Sequence, residues 1–184
     1  GLKNAAAILV DTKTREIRAY VGSADYFDES IDGQVNGLQA KRSPGSTLKP
    51  FIYALGMDQG LLHPMTVLKD APTAFGPFSP ENFDGRFVGP INAQDALIRS
   101  RNIPAVFLAS RLDKPGLYDF LKQTGVGLKH GEKHYGLALA LGGGDASAEE
   151  LASLYAGLAN EGKFTALRFR KNQNPEPVSQ AISA

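Results

Sequence analysis

Residues 6–11 and 16–21 are short apolar runs with β-branched members on either side of the polar Thr12-Lys-Thr-Arg15, which predicts an antiparallel hairpin within residues 1–22. Two strands are marginally stable alone, so the hairpin has to be extended by further strands and covered by helices. Residues 43–162 read mainly as helices and supply the cover but not the strands. The expected class is therefore α+β, an α/β sandwich with a helical region against the N-terminal strands of an antiparallel sheet. Its remaining strands are expected outside this chain or from a second chain or segment. The polar stretch 171–177 and the weak tail 181–184 fit the same expectation of a piece cut from a longer protein.

Pro50 locates the first long helix. Proline is tolerated in a first turn but in a helix interior loses a hydrogen bond and clashes with the preceding turn. The helix is thus predicted to start at or just after Ser46, with Leu48, Phe51, Ile52 and Leu55 on its buried face. Before it, residues 22–41 form a polar surface connection with Tyr26, Phe27 and Val35 as pins. After it, Pro64, Pro72, Pro77, Pro80 and Pro90 punctuate a surface excursion over 63–90, too long for a plain connector. Its Phe75, Phe78, Phe83 and Phe87 either anchor that loop or frame a groove. Further helices are predicted at 92–99, at about 104–112, and from 113 or 114 to 123 with Gly125 as the stop. Residues 137–141 are a strand or a buried segment. Ser147-Ala-Glu-Glu150 has capping-box spacing before a helix holding Leu151, Leu154, Tyr155 and Leu158, which ends at Asn160 and Gly162.

Composition narrows the function classes. Twenty basic and nineteen acidic residues leave a formal charge of +1 in 184 residues, which supplies no sustained field for nucleic acid or an anionic membrane. No nucleic acid partner is expected. Cysteine is absent, which removes disulfides, a thiol nucleophile and zinc–thiolate sites. The longest strongly apolar run, residues 5–10, falls far short of the ~20 residues a membrane helix needs. No membrane contact is expected within this chain.

Ser46-Thr-Leu-Lys49 is the leading chemical candidate. A hydroxyl is a weak nucleophile until a base takes its proton, and a lysine one turn further along the same helix can reach it. That amine must be neutral, which requires burial or a positive neighbour. Near a helix N-terminus, backbone N–H groups also point toward a developing oxyanion. Alone, Ser-x-x-Lys is common enough to be a cap and a surface lysine. Ser100-Arg101-Asn102, at a break between two helices, adds a hydroxyl and an amide that can point the same way.

In this order the two motifs resemble the first two of the three active-site motifs of penicillin-binding transpeptidases and serine β-lactamases, Ser-x-x-Lys, Ser-Asp-Asn and Lys-Thr-Gly. The flanks Arg42-Ser-Pro-Gly-Ser-Thr-Leu-Lys-Pro-Phe51, Glu81-Asn-Phe-Asp-Gly-Arg-Phe-Val-Gly-Pro90, Ser100-Arg-Asn-Ile-Pro-Ala105, Ala140-Leu-Gly-Gly-Gly144 and Ala159-Asn-Glu-Gly162 are similar to the transpeptidase domain of the bifunctional class A penicillin-binding proteins over nearly the whole chain. The resemblance implies that Ser46 is acylated, Lys49 is its base, Ser100 relays a proton to the leaving amine and Asn102 holds the substrate amide. The Ser46 backbone N–H would be an oxyanion donor. It implies peptidoglycan stem peptides and β-lactam antibiotics as partners, no cofactor and no metal. It also implies a periplasmic domain, with an inner-membrane anchor and a glycosyltransferase domain outside this chain.

The third motif, Lys-Thr/Ser-Gly, does not occur in the 184 residues. Lys122-Gln-Thr-Gly125 is the nearest approach and is rejected for its inserted glutamine and its place at a predicted helix end. The chain alone is accordingly expected to be inactive. His130-Gly-Glu-Lys-His134 departs from the zinc-hydrolase pattern and is expected in a surface loop, and Gly142-Gly-Gly144 lacks the remainder of a phosphate loop and is expected to be a tight turn. The alternatives are a β-lactamase or β-lactam sensor of the same fold, and a non-enzymatic cell-wall interaction module.

Overall fold

The structure, a computed structural model, describes residues 3–170, the strand at 177–180 and residue 182. The polar residues 171–176 and most of the 181–184 tail lie outside the described residues. The architecture is mixed α+β, with N-terminal antiparallel strands and a helical core, as expected. The chain divides into two compact units, one made of Gly1–Arg42, Leu121–Gly127 and Asp145–Ala184, the other of Ser43–Phe120 and Leu128–Gly144.

In the first unit the predicted hairpin forms from β1 (Ala7–Val10) and β2 (Ile17–Val21), with Ala7 opposite Val21 and an irregularity beside Val10. The Asp11 carboxylate closes the turn by accepting the backbone N–H groups of Lys13 at 3.1 Å and Thr14 at 2.8 Å. Arg15, expected in a polar connection, is buried instead. Its Nη2 donates to the Ser153 carbonyl at 2.9 Å and its Nε to the Thr165 carbonyl at 3.1 Å, so the guanidinium ties the turn to the rest of the unit. Those two carbonyls belong to α6 (Ala148–Leu158) and β5 (Lys163–Thr165). The capping box is present: Ser147 Oγ accepts the Glu150 N–H, and the Glu150 carboxylate accepts the Ser147 N–H and pairs with Lys41. β5 pairs antiparallel with β6 (Pro177–Gln180), a strand that the proline and polar residues around it concealed from sequence reasoning.

α6 meets β5 at Gly157, where an added Cβ would lie 2.3 Å from the ring of the buried Phe164. Overpacking of this kind costs roughly 1–3 kcal/mol, whereas alanine for glycine gains at most about 1 kcal/mol of helix propensity. Gly157→Ala is therefore expected to destabilise the protein by about 1–2 kcal/mol, measured as a lowered midpoint in urea unfolding.

The second unit is built on α1 (Lys49–Asp58) and α3 (Asn102–Arg111), which pack against each other; Phe51, Ile52 and Leu55 of α1 and Ile103 and Val106 of α3 are fully buried. Phe120, from the part of α4 (Leu117–Gln123) that belongs to this unit, stacks on Phe51 with ring centroids 5.7 Å apart. α2 (Ala93–Ile98) is capped by Asn92, whose side chain accepts the Asp95 N–H. Three expectations are corrected here. The 63–90 excursion is organised by β3 (Val67–Asp70) and β4 (Gly89–Asn92), an antiparallel pair with Val67 opposite Asn92, so it is a long-looped hairpin. Helix α3 begins at Asn102, not near Pro104, because proline sits comfortably in the first turn and Asn102 already has helical geometry. Of the two readings of residues 137–141 the strand is the one set aside: Gly136–Leu141 form a 3-10 segment that packs on α3 and buries Leu139 and Ala140. It follows α5 (Glu132–Tyr135), one helical turn within the segment expected as a surface loop.

Candidate active site

Gly45–Leu48 is a 3-10 turn that runs directly into α1, with Pro50 in the first α-helical turn. The local sequence forces this arrangement: Gly45 takes a left-handed φ of 54°, and Pro50 cannot sit deeper in the helix. Ser46 is consequently exposed in the N-terminal turn, where backbone N–H groups lack partners within the helix. Lys49, three residues later, is buried at 1% exposure. The glycine run supports the turn from the other side. An added Cβ on Gly142 would stand 2.3 Å from the Gly45 nitrogen, and the Gly142 carbonyl accepts the Ser43 hydroxyl at 2.7 Å. The run is thus a place of close backbone approach to the segment that carries Ser46.

The second motif closes α2 and opens α3. The N–H of Arg101 returns to the carbonyl of Ala96 and that of Ser100 to the carbonyl of Leu97, both at 2.9 Å. This is a Schellman ending in which Ser100 occupies the left-handed position that glycine usually takes, with φ of 53°. That backbone turn brings the Ser100 carbonyl to the Lys49 amine. Lys49 Nζ lies 2.6 Å from the Ser100 carbonyl, 2.6 Å from Asn102 Oδ1 and 3.1 Å from Ser100 Oγ.

The four sequence-predicted residues therefore belong to one place. Ser46, Ser100 and Asn102 line a single cleft of about 470 Å³, with Lys49 beneath it bonded to the last two. The expected direct hydrogen bond between Ser46 and Lys49 is not made: Ser46 Oγ has no hydrogen bond among the described residues, because the amine is held by the second motif. Phe83, fully exposed, stands on the cleft wall, so of the loop aromatics this one frames the groove and does not anchor. Phe75 and Phe78 face each other through backbone hydrogen bonds instead.

Burial pushes the Lys49 ammonium down to about 8, and the Arg101 guanidinium adds to the effect. Among the described residues no carboxylate bonds to it. A neutral amine has two N–H donors and one lone pair, so two carbonyl oxygens take the donors and the lone pair remains for the Ser100 O–H. The charged form donates to all three. The arrangement accommodates both protonation states of a base.

Sequence reasoning missed the group that supports this motif. Arg101 is buried and donates from Nε to Asp70 at 2.8 Å, from Nη1 to Asp84 at 3.0 Å and from Nη2 to the Arg86 carbonyl. Asp70, wholly buried at the end of β3, also accepts Asn82 Nδ2 at 2.7 Å and the Val88 N–H at 3.1 Å. The alternating Val67-Leu-Lys-Asp70 was the one available signal, and it was hidden among prolines. Lys122 lies in the last turn of α4 and Thr124 just beyond its end, so neither is part of a strand. The His130 and His134 rings lie with centroids 4.1 Å apart and planes tilted by 35°, and no cluster of three metal-binding side chains exists among the described residues.

A sequence profile described as the penicillin binding protein transpeptidase domain matches residues 5–184. The chain belongs to that transpeptidase family. Within this family it is 40% identical over 167 residues to penicillin-binding protein 1C of Escherichia coli strain K12, covering 90% of this chain and 22% of the relative. It is 32% identical to penicillin-binding protein 1F of Bacillus subtilis strain 168, covering 87% of this chain and 22% of that protein. The chain thus spans about a fifth of the length of these relatives. The crystal structure of penicillin-binding protein 1A from Haemophilus influenzae superposes with a TM-score of 0.76 at 28% identity, over 90% of this chain and 24% of the other. The transpeptidase domain of penicillin-binding protein 3 from Burkholderia pseudomallei, at 19% identity, shares the fold with a TM-score of 0.80 over 98% of this chain and 58% of that one. No helix among the described residues is long and apolar enough to cross a membrane.

Proposed function

We propose that this chain carries the nucleophile-bearing part of a serine D,D-transpeptidase site of the class A penicillin-binding type. Ser46 Oγ attacks the carbonyl between the two terminal D-alanines of a peptidoglycan stem peptide and forms an ester. Its proton passes to neutral Lys49, and Ser100 relays a proton to the departing amine, so that free D-alanine leaves. An amine of a neighbouring stem then attacks the ester, the new amide forms and Ser46 regains its proton. Asn102 holds the substrate amide, and the Ser46 N–H is one oxyanion donor. The observation that carries this reading is the burial of Lys49 between Ser100 and Asn102, under the cleft onto which Ser46 opens.

The second oxyanion donor and the carboxylate-binding groups belong, in this reading, to a Lys-Thr/Ser-Gly strand that these 184 residues do not contain. Among the described residues β1 and β2 form a sheet of two strands only, marginal alone, and Leu9 and Val21 on it are exposed. Losing one oxyanion donor costs about 10²–10³ in rate, so the chain by itself is slow or inactive. The periplasmic setting, the membrane anchor and the glycosyltransferase activity belong to the same proposal and to the intact protein.

Fluorescent penicillin, followed on gels against Ser46→Ala as the blank, tests the assignment. The intact protein should be labelled at Ser46 and hold the label for many minutes. Labelling that survives Ser46→Ala refutes the nucleophile, and rapid loss of the label with hydrolysed penicillin as product identifies a β-lactamase.

A further inference from the structure

We infer that Asp70 is a positioning residue for acyl transfer, a buried carboxylate that fixes Arg101 and Asn82 and, through them, the Ser100-Arg101-Asn102 backbone that meets Lys49. The inference rests on the acyl-transfer reading of Ser46.

Two hydrogen-bonded routes lead from Asp70 to the amine. In the first, Asp70 Oδ1 accepts Asn82 Nδ2 at 2.7 Å, Asn82 Oδ1 accepts the Asn102 N–H at 2.7 Å, and Asn102 Oδ1 accepts Lys49 Nζ at 2.6 Å. The carboxylate, an acceptor only, decides which way the Asn82 amide faces. That in turn decides that Asn82 presents an oxygen to the first N–H of α3. In the second route, Asp70 Oδ2 accepts Arg101 Nε at 2.8 Å, and Arg101 lies between the two residues that bond Lys49. Ser100 holds a left-handed backbone that is uncommon for an L-residue, and the anchored Arg101 follows it and closes the Schellman turn through its own N–H to the Ala96 carbonyl. Asp70 is wholly buried and three donors converge on it, so its removal would be felt along both routes.

The charged and titratable groups around Lys49 give the inference a sign. Arg101 is the cation that depresses it; Asp70 and Asp84 are paired to Arg101; Tyr53 on the same helix is pushed up by burial and by Asp70 and stays neutral; Arg99 stands on the cleft wall. Asp70→Asn leaves the Arg101 charge less neutralised, so the rise of acylation rate with pH should move down. Asp70→Asn with Arg101→Met removes the cation itself, so the rise should move up. That pair leaves no buried charge stranded and is the variant expected to fold.

The test is performed on the intact protein, with penicillin acylation rates across pH 6–10 as a rough window around a lysine titration, thermal melting as the check on folding, and NMR titration of Lys49. Both variants should lose about 10- to 100-fold in plateau rate, as a displaced reacting geometry does. Their pH limbs and Lys49 titrations should move in opposite directions, by about half a unit or more. A folded variant with wild-type plateau and limb would overturn the inference. So would a folded pair whose limb stays in place, since a merely structural Asp70 would change stability without moving the titration. If wild-type protein is not labelled at Ser46, the acyl-transfer reading has failed, and the Lys49 titrations still decide whether Asp70 governs the amine.

Discussion

Lys49→Met is expected to slow acylation of Ser46 by about 10²–10⁴-fold, the range that a general base contributes, and to abolish its dependence on pH near 8. The wild-type rate should rise as the amine is deprotonated, because only the neutral form accepts the Ser46 proton. With Lys49 near 8, about one molecule in ten is active at pH 7, against about one in three thousand for a free lysine. Burial and the Arg101 guanidinium together are thus worth a factor of some hundreds before any geometric benefit is counted. Methionine is an unbranched side chain of similar length for the same buried position, and the loss of donors to the Ser100 and Asn102 oxygens is offset by relief of a buried amine. Melting should therefore change far less than the rate. Stopped-flow acylation from pH 6 to 10, a rough span on either side of the lysine titration, makes the comparison. If the variant keeps a limb near 8, another group is the base.

Much of this site was legible because its signals are local. Pro50 placed the first helix within three residues, and Ser46 and Lys49 followed from that start. The break at Ser100 was visible as a cluster of polar residues between two apolar stretches. What stayed hidden depends on pairing over distance. Nothing in the neighbourhood of Asp70 announces a buried carboxylate, since its three donors come from residues 12, 18 and 31 positions away. Arg15 was misjudged for the same reason, its carbonyl partners lying 138 and 150 positions away. The direct Ser46–Lys49 bond was expected from helical spacing alone, and spacing does not include the competition from Ser100 and Asn102 for the amine.

Ser100 separates stability from activity. Its φ of 53° places an L-residue where a left-handed backbone costs roughly 1–2 kcal/mol, at the Schellman position that favours glycine. Ser100→Gly and Ser100→Ala both remove the hydroxyl that lies 3.1 Å from Lys49 Nζ, but only glycine releases the backbone. Glycine gives back part of the gain, about 0.5–1 kcal/mol, through the greater freedom of its unfolded chain. The glycine variant should accordingly be more stable than the alanine variant by about 1 kcal/mol, or some 2–4 °C in melting for a domain of this size. Both should lose acylation by about 10²-fold or more, because the proton path between Lys49 and the leaving amine is cut in each. Equal melting of the two would mean that the turn stores no strain. Wild-type labelling by Ser100→Ala would remove Ser100 from the proton path and leave it as a backbone device that delivers a carbonyl to Lys49.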